Sequence, residues 1–218
     1  MKIYFCYQTL IQFYRDKMKT KNPYLMACYA LPLWLLLMAA SCVPKTELEL
    51  NKHRQEQDSF MKGSGSPLKS EDKKNFQGLA YFAPDSSYRV EANLTLAPAD
   101  EQVIELPTST GKKRKLLTYA YADFTLKGQK CRLTLYKGVE EKTKEDYLFL
   151  PFTDPTNGKT TYEVGRYLEP VLKGTKVVID FNFAYNPYCA YNDTYDCPIP
   201  PQENHLPIEI LAGEKKFK

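Results

Sequence analysis

The chain has 218 residues, 43% hydrophobic and 26% charged, which is enough length and apolar content to bury a core. Its net charge of +4 belongs to its first part: five of 30 basic and one of 26 acidic residues precede Cys42, leaving 25 of each. Without a net positive field the remainder lacks the main driver of nucleic-acid binding, so nucleic acid is not an expected partner.

Leu25–Ala40 is an apolar run of 16 residues, shorter than the about 20 a spanning helix needs. Arg15, Lys17, Lys19 and Lys21 precede it and small residues follow, the pattern of a secretory signal peptide over 1–41. Met18 opens an ordinary signal-peptide start, so translation is expected to begin there. Ala39-Ala40-Ser41-Cys42 resembles the lipobox of bacterial lipoproteins, with Ala39 where Leu is usual. That resemblance implies cleavage before Cys42, its lipidation, and a domain anchored by lipid to a membrane of the bacterial cell envelope. Plain secretion and an uncleaved anchor are the alternatives. The single Trp, Trp34, leaves with the signal.

Residues 42–75 read as a polar arm and linker, with a helix over Glu47–Lys62 broken by Gly63-Ser64-Gly65-Ser66-Pro67. Ser70, followed by Glu71 and Asp72, reads as the N-cap of a second short helix, with Phe76 docking it. Residues 76–218 read as the β domain. Strands are expected at Tyr88–Leu96, Gln102–Leu106, Lys115–Leu126, Lys130–Lys137, Tyr147–Phe152, Lys176–Phe183 and Leu206–Leu211. Alternation turns Cys131, Leu133 and Leu135 inward, and Lys127-Gly128-Gln129 reads as a three-residue hairpin loop. The expected fold class is mainly β: a single antiparallel β-barrel or sandwich domain with short N-terminal helices.

With Cys42 lipidated and Cys131 in a strand, Cys189 and Cys197 remain in a Pro- and Asn-rich stretch. In an exported chain they are expected to form a disulfide, two reduced structural thiols being the alternative. Two polar-aromatic segments stand out, 151–167 and 180–207. In one reading they plug a barrel end, with Asp180 and Arg166 as an ion pair. In the other, Asp154, Thr156, Tyr162, Arg166, Asp180, Asn182, Tyr185 and Asn186 converge on a ligand pocket at the barrel mouth. Arg beside Asn, Tyr and Asp suits a carboxylate, a phosphate or sugar hydroxyls.

Enzyme templates fit less well. No Ser follows Ser109 and the histidines are His53 and His205, which leaves little room for a Ser-His-Asp triad. Cys189, Cys197 and His205 match no familiar zinc spacing, and no P-loop or dinucleotide fingerprint is present. No metal and no cofactor are expected. Asp180 with Glu203 or Asp154 is the carboxylate pair a hydrolase would need.

The two segments, with Tyr88-Arg89-Val90-Glu91-Ala92, Thr108-Ser109-Thr110-Gly111 and the closing Ala212-Gly213-Glu214-Lys215, resemble the DUF1684 family, a domain of unestablished function. The likeness runs from about Glu47 to Lys215. The family commonly has Arg in place of His205 and a second Pro in place of Tyr188, and members without export signals carry a similar cysteine pair. The expectation is therefore a membrane-tethered domain that binds a small polar or anionic ligand through 151–167 and 180–207. The alternative is an envelope hydrolase using a carboxylate pair on saccharide or peptide material.

Overall fold

The computed structural model describes residues 45–98, 103–139 and 147–218. Apart from Lys45, all of these fall in the second of the chain's two units, Thr46–Lys218. The expected signal peptide and Cys42 lie outside the described residues. Among the described residues no helix is long and apolar enough to cross a membrane.

Helix α1 is Lys45–Lys62 and α2 is Ser70–Asn75. The sequence of α1 is polar, so little of its stability is intrinsic, and a single face holds it down. Leu50 and Met61 are buried on that face. Between them Arg54 donates to the Phe82 carbonyl at 3.1 Å, and Asp58 accepts from the Leu79 amide at 2.8 Å. Ser70 begins α2 but does not cap it: the N-cap is Lys69, with no side-chain hydrogen bond. Phe76 packs where expected, against Met61, Leu68 and Tyr191.

Eight strands follow: β1 Arg89–Leu96, β2 Val103–Pro107, β3 Lys113–Leu126, β4 Gln129–Gly138, β5 Leu150–Phe152, β6 Arg166–Leu168, β7 Val171–Lys173 and β8 Lys176–Asp180. Every strand pairing is antiparallel. The long β3 organises the main sheet. It pairs with β4 along one edge, and on the other with β2 at Lys113–Leu117 and with β1 at Ala120–Asp123. β8 and then β7 extend the sheet beyond β1. β5 and β6 form a second ribbon, joined to β4 by a Tyr136–Phe149 bridge and to Tyr185 through Tyr167. The fold is mainly β as expected, and the pairings among the described residues do not close a barrel.

Alternation explains the core. Cys131, Leu133 and Leu135 of β4 are buried and meet Ala122, Phe124 and Leu126 of β3, Val177 and Ile179 of β8, and Phe152. Each buried Leu or Ile contributes about 1.5–3 kcal/mol. Leu126 and Gln129 pair directly, so the β3–β4 loop has two residues, Lys127 and Gly128, rather than three. Both have positive φ, 49° and 82°, the geometry whose twist matches a hairpin.

A smaller cluster of Leu106, Leu116, Tyr136, Phe149 and Tyr167 lies at the β2–β3 end, with Tyr147 and Tyr185 packed against it. Leu206–Leu211 is not a strand. Its groups bond instead to loop backbone and side chains, as in Leu206 N–H to the Thr153 carbonyl at 2.8 Å. Residues 212–214 beyond it run inside: Gly213 adopts φ +77°, and a Cβ there would lie 2.6 Å from the Ala184 carbonyl oxygen. Gly213→Ala is expected to cost about 3 kcal/mol from left-handed backbone and overpacking together, read by urea unfolding.

Candidate functional site

Most of the polar residues singled out from the sequence are placed inside the protein, bound to one another and to backbone. Asp154 follows β5, and its Oδ1 accepts from the Thr156 amide at 2.9 Å, an Asx turn, and from the Ile210 amide at 3.1 Å. Its Oδ2 faces Arg166 Nη2 at 3.0 Å, with both side chains at 0% exposure. Arg166 opens β6 and donates to three carbonyls of the C-terminal segment: Ile210 at 2.9 Å, Ala212 at 2.5 Å and Glu214 at 3.2 Å. Its guanidinium lies 5.3 Å from the centre of the Phe152 ring. Burial pulls its pKa down, and Asp154 opposes that shift. The partner of Arg166 is thus Asp154, not Asp180. Asp180 lies 3.6 Å from Arg89 and caps the 3₁₀ turn Phe181–Phe183.

The other amides are committed in the same way. Asn182 receives the Asp85 amide at 2.9 Å and donates back to the Asp85 carbonyl at 2.9 Å. Thr156 and Thr161 share a buried hydroxyl contact of 2.8 Å. Glu214, buried at 2% exposure, accepts from the Asn186 amide at 2.9 Å, the Asn186 side chain at 3.0 Å and the Tyr191 hydroxyl. Burial lifts its pKa to about 7 against the pull of those donors. Asn204, with no exposed surface, ties β4 to β5 through Thr134 and the Pro151 carbonyl. Neither Glu214 nor Asn204 was singled out from sequence. The polar segments therefore clamp the C-terminal chain against the β5–β6 ribbon.

An open cleft of about 1530 Å³ lies beside this clamp. Of the eight expected ligand residues, Asp180 and Tyr185 line it. Its aromatic wall runs Phe149–Tyr167–Tyr185, with edge-to-face contacts of 4.8 and 5.9 Å. Tyr188 and Tyr195 form a second aromatic pair at 5.2 Å. Glu169 accepts from the Tyr147 and Tyr185 hydroxyls, each at 3.3 Å. Burial raises the Tyr185 pKa, first of several causes, so this hydroxyl stays a donor across the physiological range. Arg114 and Lys115 of β3 stand exposed at the rim, with Lys115 directly across from Glu105 of β2, whose carboxylate it helps to hold charged.

α1 supplies Thr46, Glu49, His53 and Gln57 to the same cleft. The His53 ring lies 5.1 Å from that of Phe183, and burial lowers its pKa, so it is neutral near pH 7.

The family model for a protein of unknown function, DUF1684, matches residues 74–215. The chain belongs to the DUF1684 family. The match begins within α2, later than the likeness from about Glu47 suggested. A solution NMR structure of an uncharacterized protein from Haloarcula marismortui is 36% identical, with a TM-score of 0.61, covering 78% of this chain and 93% of that one. Comparison with curated proteins gives no match.

In this DUF1684 chain Tyr162 reaches neither the clamp nor the cleft wall; its hydroxyl faces Cys189 Sγ at 3.7 Å. Cys189 and Cys197 stand as free thiols, with the Cys189 amide donating to Cys197 Sγ at 3.1 Å. The 3₁₀ turn Tyr188–Ala190 turns that amide toward the sulfur, where the sequence had suggested a bridge. Among the described residues no cluster of metal-ligating side chains is present. Asp154 is closed off by Arg166, and Glu203 accepts from the Tyr136 hydroxyl at 3.2 Å. Arg114, Tyr147, Glu169 and His53 were missed because the fold, not sequence proximity, assembles the cleft.

Proposed function

We propose that this chain is a lipid-anchored binding domain of the bacterial cell envelope, exported by a signal peptide and acylated on Cys42. Its cleft takes a small sugar-like ligand bearing a carboxylate or phosphate. The observation that supports the ligand reading is the cleft itself: Tyr185, Tyr188 and Tyr195 line it together with the exposed rim cations Arg114 and Lys115. Aromatic faces suit sugar rings, and a guanidinium suits planar anions. Glu169 and the Tyr hydroxyls add acceptors and donors for hydroxyl groups. Cys42 precedes α1 by three residues, so the anchor connects directly to the helix that supplies one side of the cleft. In an oxidising envelope Cys189 and Cys197 also join in a disulfide.

A thermal-shift series with glucose 6-phosphate, glucuronate, inorganic phosphate and glucose tests the ligand reading. An anionic sugar at about a hundredfold over Kd is expected to add about 2.7 kcal/mol. Arg114→Ala is expected to weaken that ligand about tenfold or more without lowering the apo Tm. No stabilisation by either anionic sugar, or unchanged binding by Arg114→Ala and Tyr185→Ala, refutes this reading. For the anchor, Cys42→Ser is expected to abolish palmitate incorporation and release the chain from membranes; retained incorporation refutes it.

A further inference from the structure

We propose that Cys189 and Cys197 are a redox-active thiol pair, with Cys189 the attacking thiolate and Cys197 the resolving thiol, whose substrate class is low-molecular-weight disulfides. The inference is independent of the cleft's ligand and goes beyond a structural bridge.

The geometry separates the two sulfurs. Cys189 is half-buried on the short turn Tyr188–Ala190, while Cys197 is buried at 7% exposure. Cys197 is pinned to the β2–β3 turn: its amide donates to Ser109 Oγ at 3.0 Å, and its carbonyl accepts the Ser109 amide at 2.9 Å. Ser109 in turn donates to the Tyr195 carbonyl at 3.1 Å. The resolving sulfur thus has a fixed backbone, and the attacking sulfur sits on a separate, more exposed turn.

The two sulfurs meet different donors. The Tyr162 hydroxyl lies 3.7 Å from Cys189 Sγ, and the Cys189 amide donates to Cys197 Sγ at 3.1 Å. Hydrogen bonding to the charged form stabilises a thiolate. Cys197 first, then burial in opposition and Tyr162, bring the Cys189 pKa to about 6, while the Cys197 pKa moves up. Ser109 also faces Cys189, and Tyr167, Asp196 and, through Tyr162, Glu163 lie beside the pair. Cys131, in contrast, is buried in the core and its pKa is raised by burial alone.

The Cys189 thiolate attacks one sulfur of R–S–S–R, forming Cys189–S–S–R and releasing one thiolate RS⁻. Cys197 loses its proton and attacks Cys189 Sγ, forming the Cys189–Cys197 bond and releasing the second RS⁻. The protein loses two electrons, which reduce the small disulfide to two thiols. Cys197 lies on the cleft wall beside Tyr188 and Tyr195.

The test uses the full chain, reduced and desalted, with mass-spectrometric mapping of each cysteine peptide. Iodoacetamide labelling of Cys189 against pH is expected to show a midpoint near 6, with Cys197 labelled at least about tenfold more slowly at neutral pH. Oxidised glutathione is expected to give an internal Cys189–Cys197 bond in the wild type. It is expected to give a lasting glutathione adduct on Cys189 in Cys197→Ser, and no adduct at Cys197 in Cys189→Ser. A Cys189 midpoint at the ordinary thiol value, a first adduct on Cys197, or no internal bond overturns the proposal. The labelling profile of the wild type decides even where a variant fails to fold.

Discussion

Replacing Arg166 with Met is expected to destabilise the domain by about 3–5 kcal/mol, the cost of removing one member of a buried ion pair. The change leaves the Asp154 carboxylate with no cation, and both partners are fully inaccessible to water. It also leaves the Ile210, Ala212 and Glu214 carbonyls without the donor that joined them to β6. Met fills much of the Arg stem volume against Phe152, so the loss reads as electrostatic and hydrogen-bonding rather than as a cavity. Lys in the same place supplies one ammonium where a planar fork reaches Asp154 and three carbonyls, so Arg166→Lys is also expected to cost stability. Urea unfolding followed by fluorescence measures both; an Arg166→Met loss below about 1 kcal/mol contradicts the clamp.

Glu214→Ala is the second large effect, about 3–5 kcal/mol, because three buried donors lose their acceptor together. Those donors are the Asn186 amide, the Asn186 side chain and the Tyr191 hydroxyl. The same residue sets a pH dependence. Its folded pKa is about 7, above the ordinary carboxyl value of 4.5, so the native state holds this proton where the unfolded chain has released it. The contribution is therefore full below about pH 4.5 and is lost as pH rises through about 7, a fall of about 3 kcal/mol from this group. Glu214→Gln cannot titrate, so the slope in that window is expected to vanish. Chemical unfolding at pH 4.5, 6 and 7.5 checks the sign; a wild type that gains stability across that range from this residue contradicts it.

The strands with clear alternation, β3 and β4 above all, were legible because a two-residue period fixes which side is buried, as with Cys131, Leu133 and Leu135. β6 and β7 have three residues each, too few for a period to register. Leu206–Leu211 carries strand-like apolar residues, yet its Ile210 amide bonds to Asp154 Oδ1 rather than to a ladder. The candidate site divides the same way. Sequence singled out Asp154, Arg166, Asn182 and Asn186 as special without distinguishing a ligand from the protein's own C-terminal backbone as their partner. Burial makes that distinction, and burial is a property of the assembled sheet. The cleft draws on residues from Thr46 to Pro198, a separation no motif spans.

The central claim is that ligand chemistry belongs to the cleft and internal bonding to the clamp. Backbone amide shifts of the isotope-labelled chain, titrated with glucose 6-phosphate, test it most directly. The expected result is a set of saturable shifts centred on Arg114, Tyr147, Glu169, Tyr185 and Tyr188, with Thr156, Asn186 and Ile210 unmoved. Shifts centred on residues 154–166, or none at all, would contradict it.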